Sequence, residues 1–234
     1  MTLTPQSAHA QAQAQPQAES RSLDHHGSLM DGVYRYTRHV YDLSRKYYLF
    51  GRDRMIGALD LKPGETVLEI GCGTGRNLVQ TARRYPGTQL FGVDASTEML
   101  KTAEANAQKA RVPVTLVHGF AETVTVADMH GAPEQGFDVV MFSYALSMIP
   151  DWQGAIANAG ALLARGGRFH AVDFGQMEQW PVLVRSPFNA FLDAFHVAPR
   201  PGVAEAMATA ALEEITEQPI AGGYAMLYSA TKPG

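Results

Sequence analysis

The run Val67-Leu-Glu-Ile-Gly-Cys-Gly-Thr-Gly75, with Asp94 nineteen residues beyond its last glycine, constrains this chain more than any other stretch. An apolar strand that runs into three alternating glycines lets the backbone pass close to a ligand, because glycine accepts positive φ and carries no Cβ to obstruct the approach. The next apolar segment, Phe91-Gly-Val-Asp-Ala-Ser96, ends in an acid placed to grip ribose hydroxyls. Together they read as a nucleotide-type pocket.

Strand and helix signals alternate beyond this point. Strands are expected at Thr66–Ile70, Gln89–Val93, Val114–His118, Phe137–Tyr144 and Arg168–Asp173, with helices over about Asn77–Tyr85, Ser96–Lys109 and Ile156–Ala164. Ser96 supplies a cap for the second helix. Thr209–Glu217 and Tyr224–Ser229 are expected to give a final helix and closing strands. Such alternation predicts an α/β fold, a parallel sheet with helices on both faces. A chain of 234 residues, 46% of them hydrophobic, suits one domain of this kind, assigned to residues 29–234. Residues 1–28, rich in Gln and Ala, offer little to bury and are expected to be a disordered tail.

The net charge of −4 lacks the basic footprint of a nucleic-acid binder, so no nucleic-acid partner is expected. The single cysteine, Cys72, lies inside the glycine run, which leaves no disulfide framework and no metal-ligand cluster and points to a cytoplasmic setting. The N-terminal stretch has neither the basic start nor the apolar core of a secretion signal, and no later run reaches the roughly 20 apolar residues of a membrane span. The protein is therefore expected not to be integral to a membrane.

A helix is expected from about Asp31 toward Leu59, within an N-terminal lid over residues 29–60. Val33, Tyr36, Val40, Leu43, Tyr47 and Phe50 recur at intervals of three and four and form its core face. Tyr34, Arg38, Tyr41, Arg45, Tyr48 and Arg52 repeat the interval on a neighbouring face, alternating phenol and guanidinium. That face is the main functional suspect; the alternative is a helix that merely closes over a cofactor with its arginines in water.

The glycine spacing sharpens the ligand. A dinucleotide fingerprint wants G-x-G-x-x-G, whereas here Gly71-x-Gly73-x-Gly75 follows Glu69, and the acid before the turn favours S-adenosylmethionine. With Asp94 and the later Gly166-Gly-Arg-Phe169, the stretch from about Leu61 to Phe174 resembles class I S-adenosylmethionine-dependent methyltransferases. The resemblance implies a Rossmann-like, mostly parallel sheet of seven strands. It also implies that Gly71, Gly73 and Gly75, preceded by Glu69, line the methionine portion, that Asp94 holds the ribose, and that Ala95 and Met99 flank the adenine. Phe120, Ala121 and Ser143 complete that cofactor set. The chain departs from the family after the third strand, where Val117-His-Gly-Phe-Ala-Glu122 lacks the usual acid for the adenine amine; Phe120 is expected to stack in its place, with Glu122 displaced.

Longer motifs narrow the resemblance. Residues 30–54, Ser143-Tyr-Ala-Leu-Ser-Met-Ile-Pro150, Val172-Asp-Phe-Gly175 and Phe195-His-Val-Ala-Pro-Arg200 resemble the BtaB enzymes of bacterial betaine-lipid synthesis. The extension before residue 29 is outside that pattern. The resemblance implies three successive N-methylations of diacylglyceryl-homoserine to diacylglyceryl-N,N,N-trimethylhomoserine. A lipid substrate places the enzyme peripherally on the inner face of the cytoplasmic membrane, beside the homoserine-transferring enzyme of the same pathway as a partner.

Methyl transfer to an amine needs a neutral nitrogen, close approach and exclusion of water, with neither a metal nor a covalent nucleophile. Guanidinium pairs with a carboxylate and aromatic rings attract a growing ammonium, so Tyr34, Tyr41, Tyr144 and Asp173 are assigned to catalysis and Arg38, Arg45, Tyr48 and His196 to the substrate. Proton acceptors under consideration are Asp173, Tyr144, His39, His196 and solvent. Against these stand plainer readings: Asp173 as a loop cap, His170 as a core residue, His39 as a solvated helix residue. Trp180–Val184, Pro187, Phe188, Phe191, Leu192 and Phe195 form a second apolar surface or a substrate-covering insertion. Competing functions are methylation of phosphatidylethanolamine or a soluble amine, and S-adenosylmethionine binding without turnover; a nicotinamide oxidoreductase is disfavoured by the glycine spacing.

Overall fold

The computed structural model describes residues 49–194 and 197–234, apart from a few side chains between 184 and 194. The chain divides between residues 43 and 44, and every described residue lies C-terminal to that division. The expected tail, the boundary at residue 29 and most of the N-terminal helix lie outside the described residues.

Seven strands form one sheet: β1 (Thr66–Ile70), β2 (Gln89–Asp94), β3 (Thr115–His118), β4 (Phe137–Ser143), β5 (Leu163–Phe174), β6 (Glu213–Ile220) and β7 (Ala225–Thr231). Their order is β3-β2-β1-β4-β5-β7-β6. Pairing is parallel from β3 through β5, and only β7 runs against its neighbours. The helices are α1 (Arg52–Gly57), α2 (Arg76–Arg84), α3 (Thr97–Ala110), α4 (Trp152–Leu162), α5 (Val182–Ala194) and α6 (Val203–Thr209).

Successive strand residues point to opposite faces, so each buried strand feeds two cores. Leu68, Ile70, Phe142 and Phe169 pack with Ile156 and Ala159 of α4 and Val203 and Met207 of α6. Val67, Met141 and Val172 pack on the other face with Met55 of α1, Leu78 of α2 and Leu192 of α5. Each such side chain contributes about 1.5–3 kcal/mol on full burial, which holds the strand ends, and the loops leaving them, in fixed relation.

Four expected boundaries are corrected. Helical structure does not run unbroken to Leu59, because Gly51 adopts φ 85° and α1 starts only at Arg52. The intervals of three and four that placed Phe50 on a core face are therefore interrupted, and Phe50 is 51% exposed. The helix expected from Ile156 begins at Trp152, where the Asp151 carboxylate accepts the Gly154 amide at 3.0 Å. The fifth strand reaches back to Leu163. Thr209–Glu217 is not a helix: α6 ends at Thr209, and Glu213 begins the edge strand β6. Its Leu-Glu-Glu run favours a helix, but pairing of Thr216 to Ile220 with β7 overrides that preference, and Glu213, Glu214 and Glu217 charge the exposed edge against further pairing.

Candidate cofactor and acceptor site

Strand order reverses at β1, so a crevice opens beyond the carboxyl ends of β1 and β4. The glycine run turns there. The Gly71 and Cys72 amides donate to the Val93 carbonyl at 2.8 and 3.0 Å, and Gly71, Gly73 and Gly75 have φ of 72°, 54° and 71°. A Cβ on Gly71 would stand 2.6 Å from the Ala145 Cβ, and one on Gly75 would stand 3.1 Å from that of Ala103. The first glycine thus admits the turn after β4, and the third admits α3.

Asp94 is oriented by the same turn. Its Oδ2 accepts the Gly73 amide at 2.7 Å and its Oδ1 accepts the Ser96 amide at 2.9 Å. Ser96 also caps α3 by accepting the Met99 amide, which buries Met99 beside the end of β2. Glu69, in β1 two residues before Gly71, is buried. Its Oε1 accepts from Asn77 Nδ2 at 2.7 Å, while Oε2 has no hydrogen-bond partner among the described residues. Burial pushes its carboxyl up to about 8, against the Asn77 hydrogen bond and the positive charge of Arg52. Ser143, at the end of β4, is likewise buried with an unpartnered Oγ. Two unpartnered buried polar atoms beside a glycine cradle and a ribose-type carboxylate fit the amino-acid and ribose parts of S-adenosylmethionine.

At the end of β3, His118 Nε2 meets the Ala95 carbonyl at 3.0 Å, and the His118 and Phe120 rings stand edge to face at 6.3 Å. A cavity of about 340 Å³ lies here, lined by His118, Phe120, Val124 and Asp128 among others. Ala121 is buried next to it. Ala95 and Met99 follow the carboxyl end of β2 and Phe120 and Ala121 that of β3, while Glu122 is not among the cavity's lining residues.

On the other side stand Tyr144 and Asp173. Tyr144 follows β4 with φ 55°, is buried, and donates its hydroxyl to the Phe50 carbonyl at 2.5 Å. Burial, reinforced by Tyr224 and Asp173, raises its pKa far above the usual phenol range, so the group holds its proton. Asp173 is buried at the end of β5; Oδ2 accepts the Ser147 amide at 3.0 Å and Oδ1 its neighbour Phe174's amide at 2.8 Å. Burial raises this carboxyl too, with those hydrogen bonds opposing. His170 is buried mid-strand, and burial together with Arg168 lowers its pKa to about 4, which keeps the ring neutral.

Tyr34, Arg38, His39, Tyr41, Arg45, Tyr48 and His196 lie outside the described residues. Of the phenol and guanidinium face only Arg52 is described, and its charge acts on both Glu69 and Tyr144. Sequence reasoning missed a group of aromatic rings. Tyr224, just before β7, stands 5.4 Å from Phe50, 5.8 Å from Phe174, 5.7 Å from Trp180 and 5.2 Å from Phe188 between ring centroids. Phe174 in turn meets Tyr144 at 4.7 Å. No local pattern announces this set, because its members come from five separate stretches of chain.

Residues 67–167 match the family model described as a methyltransferase domain. The chain is 31% identical over 145 residues to the 27-O-demethylrifamycin SV methyltransferase of Amycolatopsis mediterranei, covering 62% of this chain and 49% of that protein. It is also 31% identical over 148 residues to the demethylmenaquinone methyltransferase of Thermobifida fusca, covering 61% and 59%. The chain thus spans about half the length of the curated relatives it matches. Among solved structures, the Haemonchus contortus phosphoethanolamine N-methyltransferase 2 in complex with S-adenosyl-L-methionine superposes with a TM-score of 0.62 at 16% identity, covering 78% of this chain and 52% of that one. The fold is that of class I methyltransferases.

Proposed function

We propose, from the match of residues 67–167 to a methyltransferase-domain family model and from the fold, that the protein is an S-adenosylmethionine-dependent N-methyltransferase that methylates diacylglyceryl-homoserine three times to the trimethylated betaine lipid. The observation that carries the cofactor is the glycine turn bonded to Asp94, with the unpartnered Glu69 Oε2 beside it. The acceptor rests on the sequence motifs at residues 30–54, 143–150, 172–175 and 195–200.

S-adenosylmethionine supplies an electrophilic methyl on a sulfonium; a C–N bond forms as the C–S bond breaks, leaving S-adenosylhomocysteine and one proton to be shed from the nitrogen before the next round. Protein residues act by holding and excluding. Asp94 and the glycine turn fix the ribose and the amino-acid portion, with Ala95, Met99, Phe120 and Ala121 about the adenine. Tyr144, already donating to Phe50, and Asp173, already accepting two amides, serve as positioning residues that fix the turn after β4. On the sequence motifs alone, Tyr34, Tyr41 and Tyr48 are assigned to the ammonium, Arg38 and Arg45 to the homoserine carboxylate and His196 to the head group.

Among the described residues no helix is long and apolar enough to cross a membrane. Val182 and Leu183 at the start of α5 are nevertheless 65% and 91% exposed. Such a ledge supports attachment at the lipid head groups, where the homoserine-transferring enzyme is the expected neighbour. The test is mass spectrometry of lipids after incubation of the protein with S-adenosylmethionine and diacylglyceryl-homoserine in anionic vesicles. Stepwise gain of one, two and three methyl groups is expected; the same series on phosphatidylethanolamine alone would reassign the acceptor, and cofactor binding without any gain would leave a binding protein.

A further inference from the structure

The rings around Tyr224 form a continuous wall that starts at the cofactor turn. Gly71 admits Ala145; the adjoining Tyr144 meets Phe174; Phe174 meets Tyr224; and Tyr224 is bordered by Phe50, Trp180 and Phe188. Tyr224 is 2% exposed and serves as the backing ring. Phe50 is different. It is a large apolar ring left 51% exposed although its backbone is pinned, its carbonyl by the Tyr144 hydroxyl and the next residue's carbonyl by the Met55 amide. Trp180 is half-buried and also fixed, its indole N–H donating to the Ala221 carbonyl at 2.9 Å. Phe50 stands at 78° to Tyr224, while Trp180 is tilted by 31° to the same ring.

We propose that Phe50 and Trp180, backed by Tyr224, form a binding wall for a methylated ammonium, so that affinity for the acceptor rises as its nitrogen acquires methyl groups. The proposal rests on the N-methyltransferase reading. Fixed aromatic faces with an accessible side are what quaternary ammonium recognition requires, and a wall that begins beside the turn after β4 lies next to the place where the methyl is transferred. Its preference for alkylated over primary amines would retain the singly and doubly methylated intermediates between rounds.

The protein's own two tryptophans, Trp152 and Trp180, permit a direct test. In a Trp152→Phe background, Trp180 alone reports. Tetramethylammonium chloride is titrated with S-adenosylhomocysteine saturating, against tert-butanol as an uncharged near-isostere and sodium chloride as an ionic control. A saturable change in Trp180 emission with tetramethylammonium and none with the controls is expected. Phe50→Ala, which keeps the carbonyl that Tyr144 binds, should weaken that response by roughly 2- to 30-fold while leaving the S-adenosylmethionine dissociation constant unchanged. An equal response to tert-butanol, no response at all, or no effect of Phe50→Ala overturns the wall. S-adenosylmethionine binding in the parallel titration separates the outcomes: if it is intact, only the wall falls, and if it is absent, the methyltransferase reading falls with it.

Discussion

The Tyr144 hydroxyl donates to the Phe50 carbonyl across 94 positions of sequence, tying the turn after β4 to the segment that enters α1. The donor cannot be a phenolate, because burial raises the Tyr144 pKa.

Tyr144→Phe removes this tie and leaves a carbonyl without its donor. A net loss of about 1 kcal/mol is expected, together with a lower kcat and an unchanged S-adenosylmethionine affinity by calorimetric titration. Loss of cofactor affinity equal to the loss of turnover would reassign Tyr144 to the cofactor.

Asp94→Ala removes both the proposed ribose acceptor and the carboxylate that holds Gly73 and Ser96. Weakening of S-adenosylmethionine binding by at least about tenfold, or ~1.4 kcal/mol, is expected. Asp94→Asn keeps one acceptor oxygen and should lie between the two. Calorimetry on the three proteins gives the order.

Gly71→Ala places a Cβ 2.6 Å from that of Ala145 at a φ of 72°. Both steric overlap and left-handed strain are introduced, so destabilisation of about 2–4 kcal/mol is expected from urea unfolding. Adding Ala145→Gly relieves only the overlap. The double variant should recover about half the loss, and strict additivity would show that the two residues do not meet.

Glu69 predicts a pH window. Its folded carboxyl titrates at about 8 against an ordinary 4.5, so the folded form retains a proton that the unfolded chain has released. This contribution to stability is full below 4.5 and is lost as pH rises through 8. Compared with Glu69→Gln, the wild type should lose about 1.4 kcal/mol per pH unit across that window. Urea unfolding at intervals between pH 5 and 8 measures the difference; parallel curves would show that Glu69 titrates normally. His170 acts oppositely, contributing fully above 6.5 and losing that contribution as pH falls through 4, and the comparison cancels it.

The stretch from Val67 to Gly75 and the acid at Asp94 determined the turn, its ligand class and the parallel sheet from sequence alone, because glycine positions and apolar runs act on their own few residues. Ser96 as a cap was legible for the same reason. Other features were settled only by the folded chain. Gly51 ends a periodicity that otherwise continues through it, and β7 draws Glu213–Ile220 into the sheet against its own helical preference. The roles of Asp173 and Tyr144 depend on which amide and which carbonyl stand opposite them. Most of all, the aromatic wall joins Phe50, Tyr144, Phe174, Trp180 and Tyr224 through strand order and register, and contacts between such distant stretches exist only after the sheet has closed.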